Sequence, residues 1–154
     1  MKIEARIAEL GIELPPPGSP KGSYALASRC GNLVLLSGHL PARGGDLIKG
    51  KVGKDISVED AKEAARLVGL NLISTLKAEL GDLDKVAKIQ KLDAFVNCTD
   101  DFESHPAVVN GCSDLMFEVF GEAGRHSRSA VGANSLPLNV PIEIDAVVQL
   151  KEGS

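Results

Sequence analysis

The chain has 154 residues, of which 44% are hydrophobic, 25% are charged and only 3% are aromatic, with no Trp. This length predicts one globular domain with a core of its own. The formal net charge of −4 and the shortage of aromatic side chains argue against binding a phosphate backbone or stacking on bases, so we expect no nucleic-acid partner.

Cysteines and histidines give no sign of a metal site or a disulfide framework. Cys30, Cys98 and Cys112 are an odd number without CxxC spacing. The three histidines have no i, i+4 pair, so we expect no metal and no cofactor. Residues 1–20 are too charged and too interrupted for a signal peptide, and no apolar run reaches membrane-spanning length. We expect a cytoplasmic protein without a membrane partner.

The first predicted element is a short helix. Ile3, Ile7 and Leu10 recur at helical spacing before Gly11, and the following "PPPGSP" cannot continue a helix. We interpret residues 1–14 as a helical extension of a single domain that spans residues 1–154.

A β-hairpin follows the proline-rich connector. Its strands are predicted at residues 24–29 and 33–37, joined by a turn at Gly31 and Asn32. The continuous apolar run 33–36 is typical of a strand buried on both faces. The glycine-rich "PARGGDLIKGKVGKD" predicts a loop or a small ribbon.

Two long helices and three more strands complete the pattern. Ser57 is a predicted N-cap for a helix that ends near Gly81, and "HPAVVNGCSDLMFEVFGEAG" predicts the second helix. Strands are predicted at "KIQKLDAFVNC" and at about 127–132 and 141–150. The order predicts an α+β fold: a two-layer mixed β-sheet with two helices on one face. Its other face must meet solvent or another subunit.

Three segments carry a family resemblance: "GSYALASRCGNLVLLSGHLP", "DFESHPAVVN" and "SRSAVGANSLPLNVPIEIDAV". From about Gly22 onward the chain resembles the reactive intermediate deaminases, also called the YjgF-like or endoribonuclease L-PSP family. The length, the N-terminal helix and "VFGEAGRHSRSAVG" resemble a longer subgroup of that family. The resemblance implies a chorismate-mutase-like homotrimer with small-carboxylate sites in the clefts between subunits.

The resemblance also implies a reaction and a set of site residues. The reaction is hydrolysis of a 2-imino acid, or its 2-aminoacrylate tautomer, to a 2-oxo acid and ammonia. Arg128, from the R-S-x-V motif, corresponds to the arginine that holds the substrate carboxylate, and Glu143 corresponds to the glutamate that orients water. The substrate-binding positions correspond to Tyr24, Ser37, Gly38, Asn110 and Ala130. The family often has Cys where this chain has Ala130, so a thiol has no role there.

The residue types suit this chemistry. A planar guanidinium can make two parallel charge-assisted hydrogen bonds to a carboxylate, which Lys cannot. A carboxylate beside the imine carbon can orient a water molecule and move its proton, a contribution of about 10²- to 10⁴-fold. Because an imine is already electrophilic, only a moderate acceleration is needed.

Each assignment has a structural alternative. Arg128 and Glu143 could form ion pairs at a subunit contact, and Tyr24 could be an ordinary strand aromatic. Ser37 could cap the backbone, and Asn110 could be an ordinary helix-start residue. His126, beside the motif, could lie on the surface or line the cleft. At the level of function, a non-catalytic trimer that binds small carboxylates, or an endoribonuclease, stays open beside the deaminase.

Overall fold

The computed structural model describes residues 1–154. The helices and strands, in chain order, are α1 Lys2–Glu9, β1 Ala27–Cys30, β2 Leu33–His39, β3 Ala42–Arg43, β4 Asp46–Leu47, α2 Val58–Leu80, β5 Val86–Asn97, α3 His105–Phe120, β6 Ser127–Ala133 and β7 Ile142–Leu150. Short 3₁₀ turns cover Leu83–Lys85, Gly121–Gly124 and Pro137–Asn139.

One mixed sheet carries the domain. Its strand order is β1-β2-β7-β5-β6, and β5 pairs with β6 in parallel while the other neighbours are antiparallel. Strands β3 and β4 form the small separate ribbon that the glycine-rich segment predicts. The fold is α+β with α2 and α3 on one face of the sheet, which confirms the predicted class.

The start of helix α2 and the packing of the two long helices on the sheet agree with the sequence prediction. The Ser57 side chain accepts a hydrogen bond from the backbone N–H of Asp60 at 3.1 Å, which caps α2. The apolar sides of α2 and α3 pack on the sheet face formed by alternate β7 residues. Those buried β7 residues are Ile142, Ile144, Ala146 and Val148.

The opposite face of the sheet is left uncovered. Leu33, Leu35 and Val131 are 39%, 46% and 47% exposed, whereas Val34 and Leu36 are buried. The prediction that residues 33–36 form a strand buried on both faces is therefore wrong for a single chain, because no element packs on this side. Strand β1 is also shorter than predicted, since Tyr24 lies in the loop that precedes it.

Helix α1 is attached to the rest of the domain through its N-terminus. The Asp84 carboxylate accepts hydrogen bonds from the backbone N–H groups of Ile3 and Lys2 at 2.8 and 2.7 Å, which lower its pKa to about 2. Ile7 is buried in the core, and Arg6 Nε donates to the Glu118 carbonyl on α3 at 3.0 Å. None of the helices combines the length and apolar character needed to cross a bilayer.

Candidate functional site

Arg128 lies on β6, the edge strand, and its side chain faces α3. Its register partner on β5 is Leu92, which is fully buried under the helices, and partners in register project from the same face of a sheet. Arg128 Nη1 donates to Ser113 Oγ on α3 at 3.0 Å. Helix α3 therefore fixes one side of the guanidinium.

Arg128 opens onto a surface depression of about 630 Å³ between α3 and the start of β6. We call it the helix-side depression. Four of its residues lie on one side of α3, at the i, i+3, i+4, i+7 spacing of a single helix face. Its lining comprises Asn110, Ser113, Asp114, Phe117, Gly124, Arg125, His126 and Arg128.

The charge of Arg128 has no carboxylate partner. Two arginines of the chain are half-buried, Arg66 and Arg128. Arg66 pairs with Glu118 at 3.3 Å, whereas no acidic oxygen lies within 4.0 Å of Arg128. A half-buried guanidinium without a counter-charge favours binding of an anion.

His126 and Ser113 complete the polar wall around Arg128. His126 Nε2 lies 2.8 Å from Ser113 Oγ, and its Nδ1 lies 2.7 Å from the Gly124 carbonyl oxygen. Burial lowers the pKa of His126. The sequence leaves the role of His126 open and does not single out Ser113, although Ser113 follows Asn110 by three residues on one helix face, which is a usable signal.

Glu143 lies on β7 and faces the uncovered side of the sheet. Burial raises the pKa of this carboxyl, which forms no hydrogen bond and no ion pair. A Cβ atom at Gly38 would lie only 2.7 Å from Glu143 Oε2. A side chain at position 38 would therefore displace the Glu143 carboxylate from its observed position.

A bulge in β2 brings Gly38 to this position, and His39 holds the bulge. The register of β2 against β7 shifts between Leu36 and His39. His39 is buried, with Nδ1 2.5 Å from the Ser37 carbonyl oxygen and Nε2 2.8 Å from Thr75 Oγ1 on α2. Sequence reasoning missed this structural role of His39.

The remaining predicted site residues lie either near Gly38 or on the side of the sheet that carries Arg128. Ser37 Oγ donates to the Ala25 carbonyl at 2.7 Å, which matches its structural alternative of capping the backbone. Tyr24, beside Ala25, is 51% exposed, and its hydroxyl accepts a hydrogen bond from the Lys21 N–H at 3.3 Å. Asn110 lines the helix-side depression, and Ala130 is half-buried on the same sheet face as Arg128.

Arg128 and Glu143 are not brought together within one chain. Arg128 faces the helices, and Glu143 pairs in register with Phe95 and faces the other side. Strand β5 separates the strands that carry them. The two predicted catalytic residues thus lie on opposite faces of one sheet.

One acidic cluster has the spacing of a metal site. Carboxylate oxygens of Glu4, Asp82 and Asp84 lie within 4.8 Å of one another. Each already accepts a backbone N–H: Glu4 from Leu83, Asp82 from Asp84, and Asp84 from the start of α1. The cluster is accounted for by the attachment of α1.

Comparison with known proteins decides the family. The family described as "YjgF/chorismate_mutase-like, putative endoribonuclease" matches residues 4–150. The chain belongs to this family. The match spans strands β2, β6 and β7 and helix α3.

Several known proteins are similar to this chain over nearly their whole length. Protein TCP17 of Trypanosoma cruzi is 39% identical over 151 residues, which cover 97% of this chain and 94% of that protein. The crystal structure of protein Atu1372 with unknown function from Agrobacterium tumefaciens matches this fold with a TM-score of 0.90. Its sequence is 42% identical to this chain, and the match covers 97% of this chain and 92% of that one. A 2-iminobutanoate/2-iminopropanoate deaminase of Dermatophagoides farinae is 27% identical over 142 residues, 91% of this chain and 95% of that protein.

Proposed function

We propose that this protein hydrolyses reactive 2-imino acids, or their 2-aminoacrylate tautomers, to 2-oxo acids and ammonia. The observation that carries the proposal is the half-buried Arg128 guanidinium, which opens onto a depression and has no carboxylate partner in the chain. The family membership and the similarity to an imino-acid deaminase support the choice of substrate class.

Arg128 is the group that binds the substrate carboxylate. Its Nη1 is engaged with Ser113, so the guanidinium is held while further N–H groups stay available for two parallel bonds to a carboxylate. This contact orients the substrate, so that the imine carbon is presented to a water molecule at low entropic cost.

Glu143 is the group that handles the proton. Water adds to the imine carbon and gives a proton to the Glu143 carboxylate, which returns it to the nitrogen. In the resulting carbinolamine, Glu143 takes the proton of the hydroxyl group and passes it to the amino nitrogen. The C–N bond then breaks, ammonia leaves and the C=O of the 2-oxo acid forms. Because burial raises its pKa, Glu143 is a stronger base than an exposed glutamate.

The proposed active unit is a homotrimer with the substrate in clefts between copies. Since Arg128 and Glu143 lie on opposite faces of one sheet, a complete site needs Arg128 from one copy and Glu143 from another. The uncovered sheet face, with exposed Leu33, Leu35 and Val131, is the surface available for this assembly. The free thiols fit a reducing compartment, and we propose the cytoplasm.

A coupled assay tests the proposal. A dehydratase generates 2-aminoacrylate or 2-iminobutyrate in place, and formation of the 2-oxo acid is followed with and without the protein. We expect acceleration that is lost in Arg128→Ala and not restored by Arg128→Lys. Arg66→Ala, which removes the other half-buried arginine, is the matched control and keeps the activity.

A binding measurement and an RNA-cleavage assay distinguish the two alternative functions. Saturable binding of 2-oxobutyrate without acceleration would identify a carboxylate-binding trimer. Cleavage of RNA that survives Arg128→Ala, in protein free of contaminating nuclease, would identify an endoribonuclease. Either result, obtained together with no acceleration of imine hydrolysis, would overturn the deaminase proposal.

A further inference from the structure

A directed chain of hydrogen bonds ends on Arg128. The Gly124 carbonyl can only accept, so His126 Nδ1, at 2.7 Å, carries the hydrogen. In the neutral ring Nε2 is then an acceptor, and it receives the hydroxyl hydrogen of Ser113 at 2.8 Å. Ser113 Oγ in turn accepts from Arg128 Nη1 at 3.0 Å. Arg128, Ser113 and His126 each donate to the next group in this order, and the chain ends at the Gly124 carbonyl oxygen, which accepts.

The backbone around His126 is built to hold this chain. A Cβ atom at Gly124 would overlap the Met116 carbonyl oxygen, so only glycine allows the segment before β6 to lie this close to α3. This close approach places His126 beside Ser113, one helical turn after Asn110. All of these residues except Met116 line the helix-side depression.

The charges around His126 favour its neutral form in the ligand-free protein. Burial lowers its pKa, and the positive charges of Arg128 on β6 and Lys88 on β5 lower it further. On its own segment Arg125 is paired with Glu122 at 3.0 Å, and Asp114 of α3 is exposed at the edge of the depression. Neither Arg128 nor Lys88 has a carboxylate within 4.0 Å, and of the two only Arg128 lines the depression.

We propose that Ser113 and His126 are positioning residues that orient Arg128 and couple binding of the substrate carboxylate to uptake of a proton by the imidazole. The coupling follows from charge: a carboxylate bound to Arg128 cancels the repulsion that Arg128 exerts on a protonated His126. Linkage then requires that carboxylate affinity rises as pH falls through the range in which His126 titrates. The inference rests on the proposed function only in assigning a carboxylate to Arg128.

The ligand-free protein gives the first test. Nitrogen-15 NMR of the histidine side chains reports the tautomer and the titration of His126. We expect the Nδ1–H tautomer, and we expect Arg128→Ala to move the titration to higher pH. An Nε2–H tautomer, or a titration unchanged by Arg128→Ala, would overturn the inference whether or not the protein is an enzyme.

The second test is calorimetry of 2-oxobutyrate binding between pH 5.5 and 8.5. Buffers of different ionisation enthalpy report the number of protons taken up on binding. We expect Ser113→Ala to weaken binding about tenfold at pH 8, and Ser113→Thr to restore it, because the hydroxyl is retained. His126→Gln should lose the proton uptake and the tightening of binding as pH falls, whatever its affinity at pH 8. Ser127→Ala and His105→Gln are the matched controls, and both should behave like the wild type.

The outcomes separate this inference from the proposed function. Three results would overturn the coupling, even if the protein hydrolyses imines. They are a wild-type pH dependence of binding in His126→Gln, an unchanged affinity in Ser113→Ala, and no binding of 2-oxobutyrate. Suppose instead that 2-oxobutyrate binding is coupled to proton uptake, that the variants change it as expected, and that imine hydrolysis is not accelerated. This result would support the coupling and contradict the deaminase proposal.

Discussion

Arg128 and Glu143 lie on opposite faces of one β-sheet, with strand β5 between the strands that carry them. Each has its own immediate surroundings within the chain: Arg128 is held by Ser113, and Glu143 packs against Gly38. The two halves of the proposed site can therefore be perturbed separately, and a complete site requires at least two copies of the chain.

Glu143→Gln should remove the proton transfer and leave substrate binding intact. We expect kcat for imine hydrolysis to fall by about 10²- to 10⁴-fold while the Kd for 2-oxobutyrate changes little. In the wild type, kcat/KM should fall on the acid side, at a pH above the usual glutamate value, because burial raises the pKa of Glu143. An acid limb that persists in Glu143→Gln would show that another group is titrating.

Gly38→Ala should act through the Glu143 side chain. The new Cβ would lie 2.7 Å from Oε2 and 3.0 Å from Cδ, so the carboxylate must move away. We expect a loss of at least tenfold in kcat with little change in stability, because the flexible end of the Glu143 side chain can move; steady-state kinetics and thermal unfolding measure the two effects. Gly45→Ala, where a Cβ meets nothing within 4 Å, is the control. Equal kinetics in both variants would contradict this role of Gly38.

Asp145→Asn should stabilise the protein at alkaline pH. Burial, and then the neighbouring Asp93 carboxylate, raise the pKa of Asp145 to about 6. The folded protein holds this proton more tightly than the unfolded chain, whose Asp pKa is about 3.9. Protonation therefore adds stability that is complete below about pH 4 and is lost as pH rises through about 6.

The measurement for Asp145 is the melting temperature at two pH values. We expect Asp145→Asn to raise Tm at pH 8 by about 2–4 °C, corresponding to about 1 kcal/mol after allowing for partial exposure of the carboxyl. The gain should disappear towards pH 4. Asp46→Asn, at an exposed acid of the β3–β4 ribbon, is the matched control for removal of one carboxylate. An equal gain at both pH values would rule out titration of Asp145 as the cause.

Leu35→Lys should disrupt self-association. Leu35 is 46% exposed on the uncovered sheet face, and a charge there opposes burial of that face against another copy. Sedimentation of the wild type should give a trimer and that of Leu35→Lys a smaller species with a folded circular dichroism spectrum. Ala5→Lys, exposed on α1, should remain trimeric. A wild-type monomer would contradict the proposed assembly.

Local patterns in the sequence were enough to predict most of the fold. The Ser57 cap, the alternating β7 and the Gly31–Asn32 turn each act between near neighbours, and all appear as expected. The error at residues 33–36 has a different origin. An apolar run shows that a strand will be buried, but not whether its own chain or another copy buries it.

The candidate site was less accessible from the sequence, because its contacts join distant segments. Ser113 and His126 are adjacent only because the segment before β6 turns back on α3, and His39 holds the β2 bulge through α2. The motif alone indicated Arg128 and Glu143, yet it could not show that they face opposite ways. That follows from the register of β6 and β7 against β5.

The central claim, that Arg128 and Glu143 act on one substrate from different copies, is tested most directly by subunit complementation. Arg128→Ala and Glu143→Gln chains are produced separately and together, and imine hydrolysis is measured. Separately, both should be inactive; together, about a quarter of the sites in random trimers combine an intact Arg128 with an intact Glu143. Recovery to about that fraction is the predicted result. Co-assembled trimers as inactive as either parent would contradict the account.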